Sequence, residues 1–342
     1  MPSSYNALNP YLETDLWRWL LFESGLSRGQ AKALILQNAQ SAALSLFWQA
    51  GPETFARQLN LGDEALAGLR ERMARWDGLR TRWDVERRGG VHALRINEPG
   101  YPPSLSRHLP TEQRPLLLFL RGETTLLELP LILPADDAPA DEAGEAWVLD
   151  TLAELTEEGA LALFMAQPGL HARLVKAFLD ASIPFVLVIP QGLATYAPPS
   201  GLRRALDEER ILLISPFQPE WKPPAKDANP LLSHAATFAR ALAEALLTLT
   251  PLQTSPFPQQ PCFYPPAAAP IEHAEPYAGP EALFLRLVES GAPAASIQTA
   301  PSSPPNEPEL EPISPESILE TLTQGGRVPP ALAARLRQKG KS

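Results

Sequence analysis

Between residues 13 and 48 apolar side chains recur at helical spacing: Leu16, Trp19 and Leu20, then Ala33 and Leu34, with Glu23-Ser24-Gly25-Leu26-Ser27 breaking the run. Side chains three and four positions apart share one face of a helix, so the pattern predicts two amphipathic helices joined by a short turn. A further helical stretch is expected from about Pro52 to Trp83. Pro52 suits a first helical position, where its missing N–H leaves nothing unpaired. Residues 10–88 therefore read as an all-helical module in several short pieces.

The period changes after Gly89-Gly90. Short apolar runs bounded by prolines and glycines follow: VHALRI (91–96), LLLFL (116–120), LPLILP (129–134), ALALFM (160–165), FVLVIP (185–190) and RILLIS (210–215). Runs of this length with such punctuation are buried strands. Between them lie amphipathic stretches at 143–158, 170–181 and 201–209, and an alanine-rich helix is expected over 230–248. Alternation of strand and helix predicts a Rossmann-like, doubly wound parallel sheet over residues 89–250, so the fold class is α/β with a small helical module in front.

From Pro251 the chain becomes rich in Pro, Ala and Ser, and much of the excess of its 39 prolines falls there. Residues 251–314 read as a linker with one embedded helix, ALFLRLVESG (282–291), and residues 315–340 as a short C-terminal helical segment. Proline-rich segments of low hydrophobicity bury too little apolar surface to offset the entropy of ordering.

Charge sharpens the picture. The net charge is −10, yet from Arg70 to Arg95 eight arginines face four acids, and from Gly122 to Ala160 there are eleven acids and no lysine or arginine. A uniform polyanion-binding surface is excluded; a local one is not. One cysteine, Cys262, excludes an internal disulfide and a cysteine-clustered metal site. Five scattered histidines show no metal spacing, and neither a Walker A loop nor a dinucleotide fingerprint is present. No apolar run approaches the ~18 residues of a membrane span, and no cationic-then-apolar leader opens the chain, so a cytoplasmic location is expected. Ser215 precedes a proline with no histidine nearby in sequence, and nothing points to covalent chemistry; the expectation is a non-enzyme without cofactor.

Three groups of residues carry binding chemistry. Gly25-Leu26-Ser27-Arg28 has the form of a helix-hairpin-helix turn, whose backbone N–H groups grip phosphate without reading sequence; the same form also serves as a plain tight connection. The arginines around Trp76 and Trp83 read either as a stacking groove for single strands or as a solvated helix face over core tryptophans, and the second reading is preferred. His171, Arg173 and Lys176 open the helix after ALALFM, and Arg203 and Arg204 lie on the helix after the next strand, near the strand ends where ligands sit in doubly wound folds.

The segment Tyr101-Pro102-Pro103-Ser104-Leu105, followed by the apolar run from Leu116 to Gly122, resembles the entry into the Rossmann-like domain of the DNA-processing protein A (DprA, or Smf) family. The order of later features is similar: Gly192-Leu193 with Tyr196 and Pro198, a strand ending at Pro216, and DANPLLSHAATFA (227–239) at the place of the family's Arg-Asn helix start. The resemblance spans roughly residues 10 to 250. It implies single-stranded DNA binding in the cytoplasm, dimerisation, and loading of a RecA-type recombinase during natural transformation. If the chain binds DNA, the site is expected at Arg173, Lys176, Arg203 and Arg204, with Asn229 and the hairpin residues Gly25, Ser27 and Arg28 assisting.

The chain departs from the family's motifs. Where the family has a Gly-Ser-Arg turn after the first strand, this chain has Leu133-Pro134-Ala135-Asp136-Asp137; its Arg-Asn-basic run is Ala228-Asn229-Pro230. Proline deletes a donor, and carboxylates repel phosphate. Two other readings therefore stand beside DNA binding: a degenerate paralogue acting as a protein-interaction scaffold, and a small-nucleotide binder in the crevice of the sheet.

Overall fold

The structure, a computed structural model, describes residues 11–38, 44, 48, 51–58, 62–135, 141–223, 228–252 and 257–291. The chain divides into two units, residues 1–297 and 298–342, and every described residue belongs to the first. The expected helical segment at 315–340 and Asp136-Asp137 lie outside the described residues.

The helical module comprises α1 (Leu12–Phe22), α2 (Arg28–Asn38), α3 (Pro52–Gln58), α4 (Asp63–Met73) and α5 (Trp76–Arg88). Its interior is a run of tryptophans: Trp19 meets Trp48 edge-on at 5.1 Å, Trp48 lies 4.3 Å from Trp76, and Trp76 meets Trp83 edge-on at 5.8 Å. Trp76 and Trp83 are buried, so the preferred reading of these two residues, core rather than stacking platform, is what the structure shows. Burying rings of this size supplies much of the apolar area such a small module can gather.

The sheet follows the order β1 (His92–Arg95), β2 (Leu117–Gly122), β6 (Ile211–Ser215), β5 (Phe185–Val188), β4 (Leu161–Met165), β3 (Leu131–Pro134), β7 (Ala245–Leu247), β8 (Cys262–Tyr264), β9 (Glu275–Pro276). From β6 to β9 all neighbours are parallel, while β1 and β2 add an antiparallel flank. The helices α7 (Glu142–Glu157), α8 (Leu170–Ala181) and α9 (Ser200–Asp207) cover one face together with α1 and α5; α6 (Pro103–His108) and α10 (Ala228–Leu242) cover the other. Strands β3 to β6 are buried at every position, because helices on both faces leave no solvated side.

Two expectations change. The helix expected over 230–248 ends at Leu242, and Ala245-Leu246-Leu247 is instead a buried strand between β3 and β8. An apolar run buried on all sides carries no period that separates helix from strand. The segment expected to be linker from residue 251 contributes β8 and β9 to the sheet before α11 (Pro280–Glu289), the expected embedded helix. With β7 in place, strand order reverses between β3 and β7, which is the topological switch point.

Tyr101-Pro102-Pro103 explains the hard braking before β2. The Tyr101 hydroxyl donates to the Pro115 carbonyl at 2.7 Å, Pro103 opens α6, and Ser104 of that helix donates to the Leu242 carbonyl at 2.9 Å. The segment is thus pinned at both ends against the sheet and α10.

The module is fastened to the sheet by Arg18 of α1. Its guanidinium lies 4.7 Å from the Trp83 ring of α5 and 5.6 Å from the Phe119 ring of β2. It pairs with Glu86 at 2.6 Å and with Glu220, in the loop after β6, at 3.0 Å. Beside it Asp15, 1% exposed, takes Arg87 at 2.7 Å. A buried pair that loses one partner leaves an uncompensated charge. Arg18→Ala is expected to cost about 3–5 kcal/mol in urea unfolding.

Desolvation holds the Asp15 carboxyl above its usual range, against the opposing pull of Arg87. The native state then binds that proton more tightly than the unfolded chain, so the associated stability is present at low pH and lost as pH rises through the native value. The stability of wild type minus that of Asp15→Asn is expected to fall as pH rises from about 4, read from urea midpoints at successive pH.

Candidate nucleic-acid interface

The hairpin between α1 and α2 is built by its own side chains. Gly25 has a left-handed backbone, φ +76°, and the Arg72 guanidinium packs where a Cβ would stand. Arg72 also donates to the Glu23 carbonyl at 3.1 Å. Ser27 and Gln30 form a reciprocal helix cap: the Gln30 N–H donates to Ser27 Oγ at 3.3 Å, and the Ser27 N–H to Gln30 Oε1 at 3.0 Å. The Leu26 N–H donates to Ser24 Oγ at 3.2 Å. Two of the N–H groups a phosphate would use are thus already engaged.

The cations of α8 and α9 are exposed and mostly paired. Arg173 reaches Glu145 of α7 at 2.6 Å, Lys176 reaches Asp180 at 2.5 Å, and Arg204 reaches Glu208 at 2.8 Å. Arg203 is exposed on α9. His171, placed by sequence among the same charges, is instead 3% exposed beneath Phe164, and desolvation lowers its pKa to about 4. It is a neutral core group. Asn229 falls in the first turn of α10, with its side chain outside the described residues.

Of the expected set, Arg28 lines a concave surface. A cavity of about 250 Å3 opens at the carboxyl end of β6, where Phe119 of antiparallel β2 pairs with Ser215. Leu21 and Phe22 of α1 with Leu116 and Leu117 of β2 form its apolar lining. Arg28 and Lys32 of α2, Arg114 before β2 and His234 of α10 supply cationic or titratable groups, and among the described lining residues there is no carboxylate.

These charges act on one another. Lys32 is held below the usual lysine range by desolvation first and then by Arg28, with Arg114 adding to the effect and the outlying Glu112 opposing it. His234 is lowered by desolvation and by the same Arg28 charge. Lys32 Nζ donates to the carbonyls of Glu112 and Arg114 at 2.9 and 3.0 Å, and Arg114 Nε to that of Leu109 at 2.7 Å. Carbonyls orient these cations without neutralising them. Mutually repelling cations at one spot favour an anion there.

The remaining wall is a strap over residues 216–221. Phe217 and Trp221 stack with ring centroids 4.6 Å apart and planes inclined by 17°, and Phe217 also approaches the His234 ring at 5.6 Å. Ser215, empty of any catalytic partner in sequence, turns the chain into this strap: its hydroxyl donates to the Gln191 carbonyl at 2.8 Å and accepts the Phe217 N–H at 3.1 Å. The Gly192 N–H donates to the Trp221 carbonyl and the Ala194 N–H to that of Pro219, each at 2.9 Å. A Cβ on residue 192 would lie 2.2 Å from the carbonyl oxygens of Gln218 and Pro219, so glycine is required by close approach of the strap.

Sequence reading missed Lys32, Arg114, Phe217, Trp221 and His234 because four separate segments supply them. The Phe-x-x-x-Trp spacing of 217 and 221, next to a strand end, was the available signal. A larger cleft, about 700 Å3, lies between β8, β9 and α11, but there Glu275 and Glu289 already pair with Arg286. Among the described residues no group of His, Cys, Asp or Glu converges as a metal site, and no helix is long and apolar enough to cross a membrane.

With this geometry established, comparison with known proteins bears on the fold. No protein-family model and no curated protein matches the chain. Among solved structures it is similar to DNA processing protein A from Streptococcus pneumoniae, with a TM-score of 0.54 and 16% identity over 79% of this chain and 97% of that one. A second similar structure, DNA processing protein A from Helicobacter pylori, described for its single-stranded DNA binding mode, gives a TM-score of 0.40 and 16% identity over 59% of this chain and 88% of that one. The likeness to the Streptococcus pneumoniae structure shows the fold to be DprA-like: a Rossmann-like sheet carrying a helical module.

Gly192→Ala is expected to displace the strap and cost about 1–3 kcal/mol, as overpacking does. Hydrogen exchange checks the locus: the Ala194 amide, bonded to the strap, should exchange faster in the variant.

Proposed function

We propose that this protein binds single-stranded DNA without reading base sequence, and that the groove between the helical module and the carboxyl end of β6 is the contact. The observation that carries this reading is the groove's composition: Arg28, Lys32 and Arg114 beside the stacked Phe217–Trp221 pair, with no lining carboxylate among the described residues, in a chain of net charge −10. Cations attract the phosphate backbone, and aromatic faces accept any base at ~1–3 kcal/mol each. Such binding needs no cofactor and no covalent step. Arg173, Lys176, Arg203, Arg204 and Asn229 are assigned an outlying role, since Arg173, Lys176 and Arg204 already hold carboxylates.

The Tyr101-Pro102-Pro103 and Gly192-Leu193 motifs, together with the DprA-like fold, support a wider role in the cytoplasm, as a homodimer that delivers strands to a RecA-type recombinase. The same helix-borne ion pairs favour a second reading, a protein-interaction scaffold that has lost DNA binding.

Fluorescence anisotropy with an internally labelled ~30-nucleotide oligo-dT separates the two. Binding is expected to weaken with salt, because phosphate contacts release counterions. Arg28→Ala/Lys32→Ala should lose about tenfold or more in affinity, equivalent to ~1.4 kcal/mol. The Arg173/Lys176/Arg203/Arg204 alanine variant should lose less. Absence of binding at low salt would select the scaffold.

A further inference from the structure

We propose that the groove is a strand-end pocket: it takes one unpaired nucleotide bearing a terminal phosphate monoester, its base against Phe217 and Trp221 and its phosphate among Arg28, Lys32 and Arg114. This rests on the DNA-binding reading above and narrows it to one part of the strand.

Size is the first argument. A cavity of about 250 Å3 falls just below the ~300–1,000 Å3 of pockets for drug-sized ligands, so it suits one nucleotide rather than a run of them.

Charge distribution is the second. Grooves that follow a strand present cations along a track. Here three cations gather at one point, close enough that Arg28 perturbs both Lys32 and His234. A terminal phosphate monoester carries about −1.5 to −2 charges at neutral pH, roughly twice a backbone diester, and matches a point concentration of positive charge.

The surroundings are the third. Among the described residues on the neighbouring faces, Arg82 holds Glu23 and Glu220, Arg173 holds Glu145, and Arg204 holds Glu208. Lys222 beside Trp221 and Arg203 on α9 are exposed, but a chain of net charge −10 with these other cations paired offers a long polyanion less outside the groove than within it. An end is held more tightly than a continuous strand.

The hydrogen-bonding groups fit a base edge without selecting one. Gln113 and Gln218 line the cavity; Gln218 Nε2 already donates to Glu23 Oε1 at 3.3 Å, and the remaining amide groups both donate and accept, so a pyrimidine or a purine edge is served. Specificity then resides in the phosphate.

The test uses the full chain and internally labelled 30-nucleotide oligo-dT in four forms: 5′-phosphorylated, 3′-phosphorylated, hydroxyl at both ends, and ligated into a circle. One phosphorylated linear form is expected to bind about tenfold or more tighter than the circle, and whichever end is preferred names the polarity. Arg28→Glu, at an exposed position that does not threaten folding, should abolish the preference. Equal affinity for circle and phosphorylated linear forms would overturn the strand-end pocket and leave single-stranded DNA binding intact. If no oligonucleotide binds, the DNA reading fails by itself, and a thymidine monophosphate titration decides the pocket. Quenching of tryptophan fluorescence by the nucleotide, absent with thymidine and absent in Trp221→Phe, would support it; no quenching would overturn it.

Discussion

Arg18 is the contact on which the arrangement of this molecule turns. It is a buried cation at the meeting point of three pieces that are remote in sequence: Trp83 of the helical module, Phe119 of the sheet and Glu220 of the strap after β6. A guanidinium is suited to the place, because its planar face stacks on rings while its edge meets carboxylates. Once it is seated, α1 lies against the sheet and α2 stands beside the strand ends. The strap cannot drift, because Arg82 and Arg18 both hold Glu220. The cavity between them follows from that docking.

Electrostatics explains how an acidic protein keeps one basic hollow. Several exposed arginines carry a carboxylate partner, within the same helix for Arg204 with Glu208 and Arg75 with Glu71, and on another element for Arg70 with Glu53 and Arg173 with Glu145. Such surface pairs add little stability, but they cancel charge locally. In the groove the partners are carbonyls, so Lys32 and Arg114 are held in place and stay uncompensated. The remaining potential is small in extent and concentrated, which decides what it can hold.

Several motif residues proved to serve architecture. Gly192 admits the strap, Ser215 turns the chain into it, and Ser27 caps α2. Tyr101 anchors the entry to β2 through the Pro115 carbonyl, itself beside the cavity. Each acts on the groove by position rather than by contact with a ligand. The likeness to DNA processing protein A from Streptococcus pneumoniae concerns this scaffold, and the chemistry on it is this chain's own.

The alternation of strands and longer helices from His92 to Ser215 was legible in the sequence, because each strand there is short, apolar and bounded by breakers; the six-residue helix Pro103–His108 was not read as one. The helical module was legible because Leu16, Trp19 and Leu20, then Ala33 and Leu34, recur at helical spacing around a Gly-containing break. The strand at Ala245-Leu246-Leu247 was not, since a run buried on every side shows no period. Nor was the joining of Cys262–Tyr264 to the sheet, because proline-rich flanks mask three residues whose pairing is decided by the neighbour they find. The site followed the same division. Sequence located Arg28 and the tendency of its hairpin, which depend on local backbone chemistry. Only the tertiary structure could bring Arg28, Arg114, Phe217, Trp221 and His234 to one hollow and bury His171, because contact between distant segments is set by packing and not by spacing along the chain.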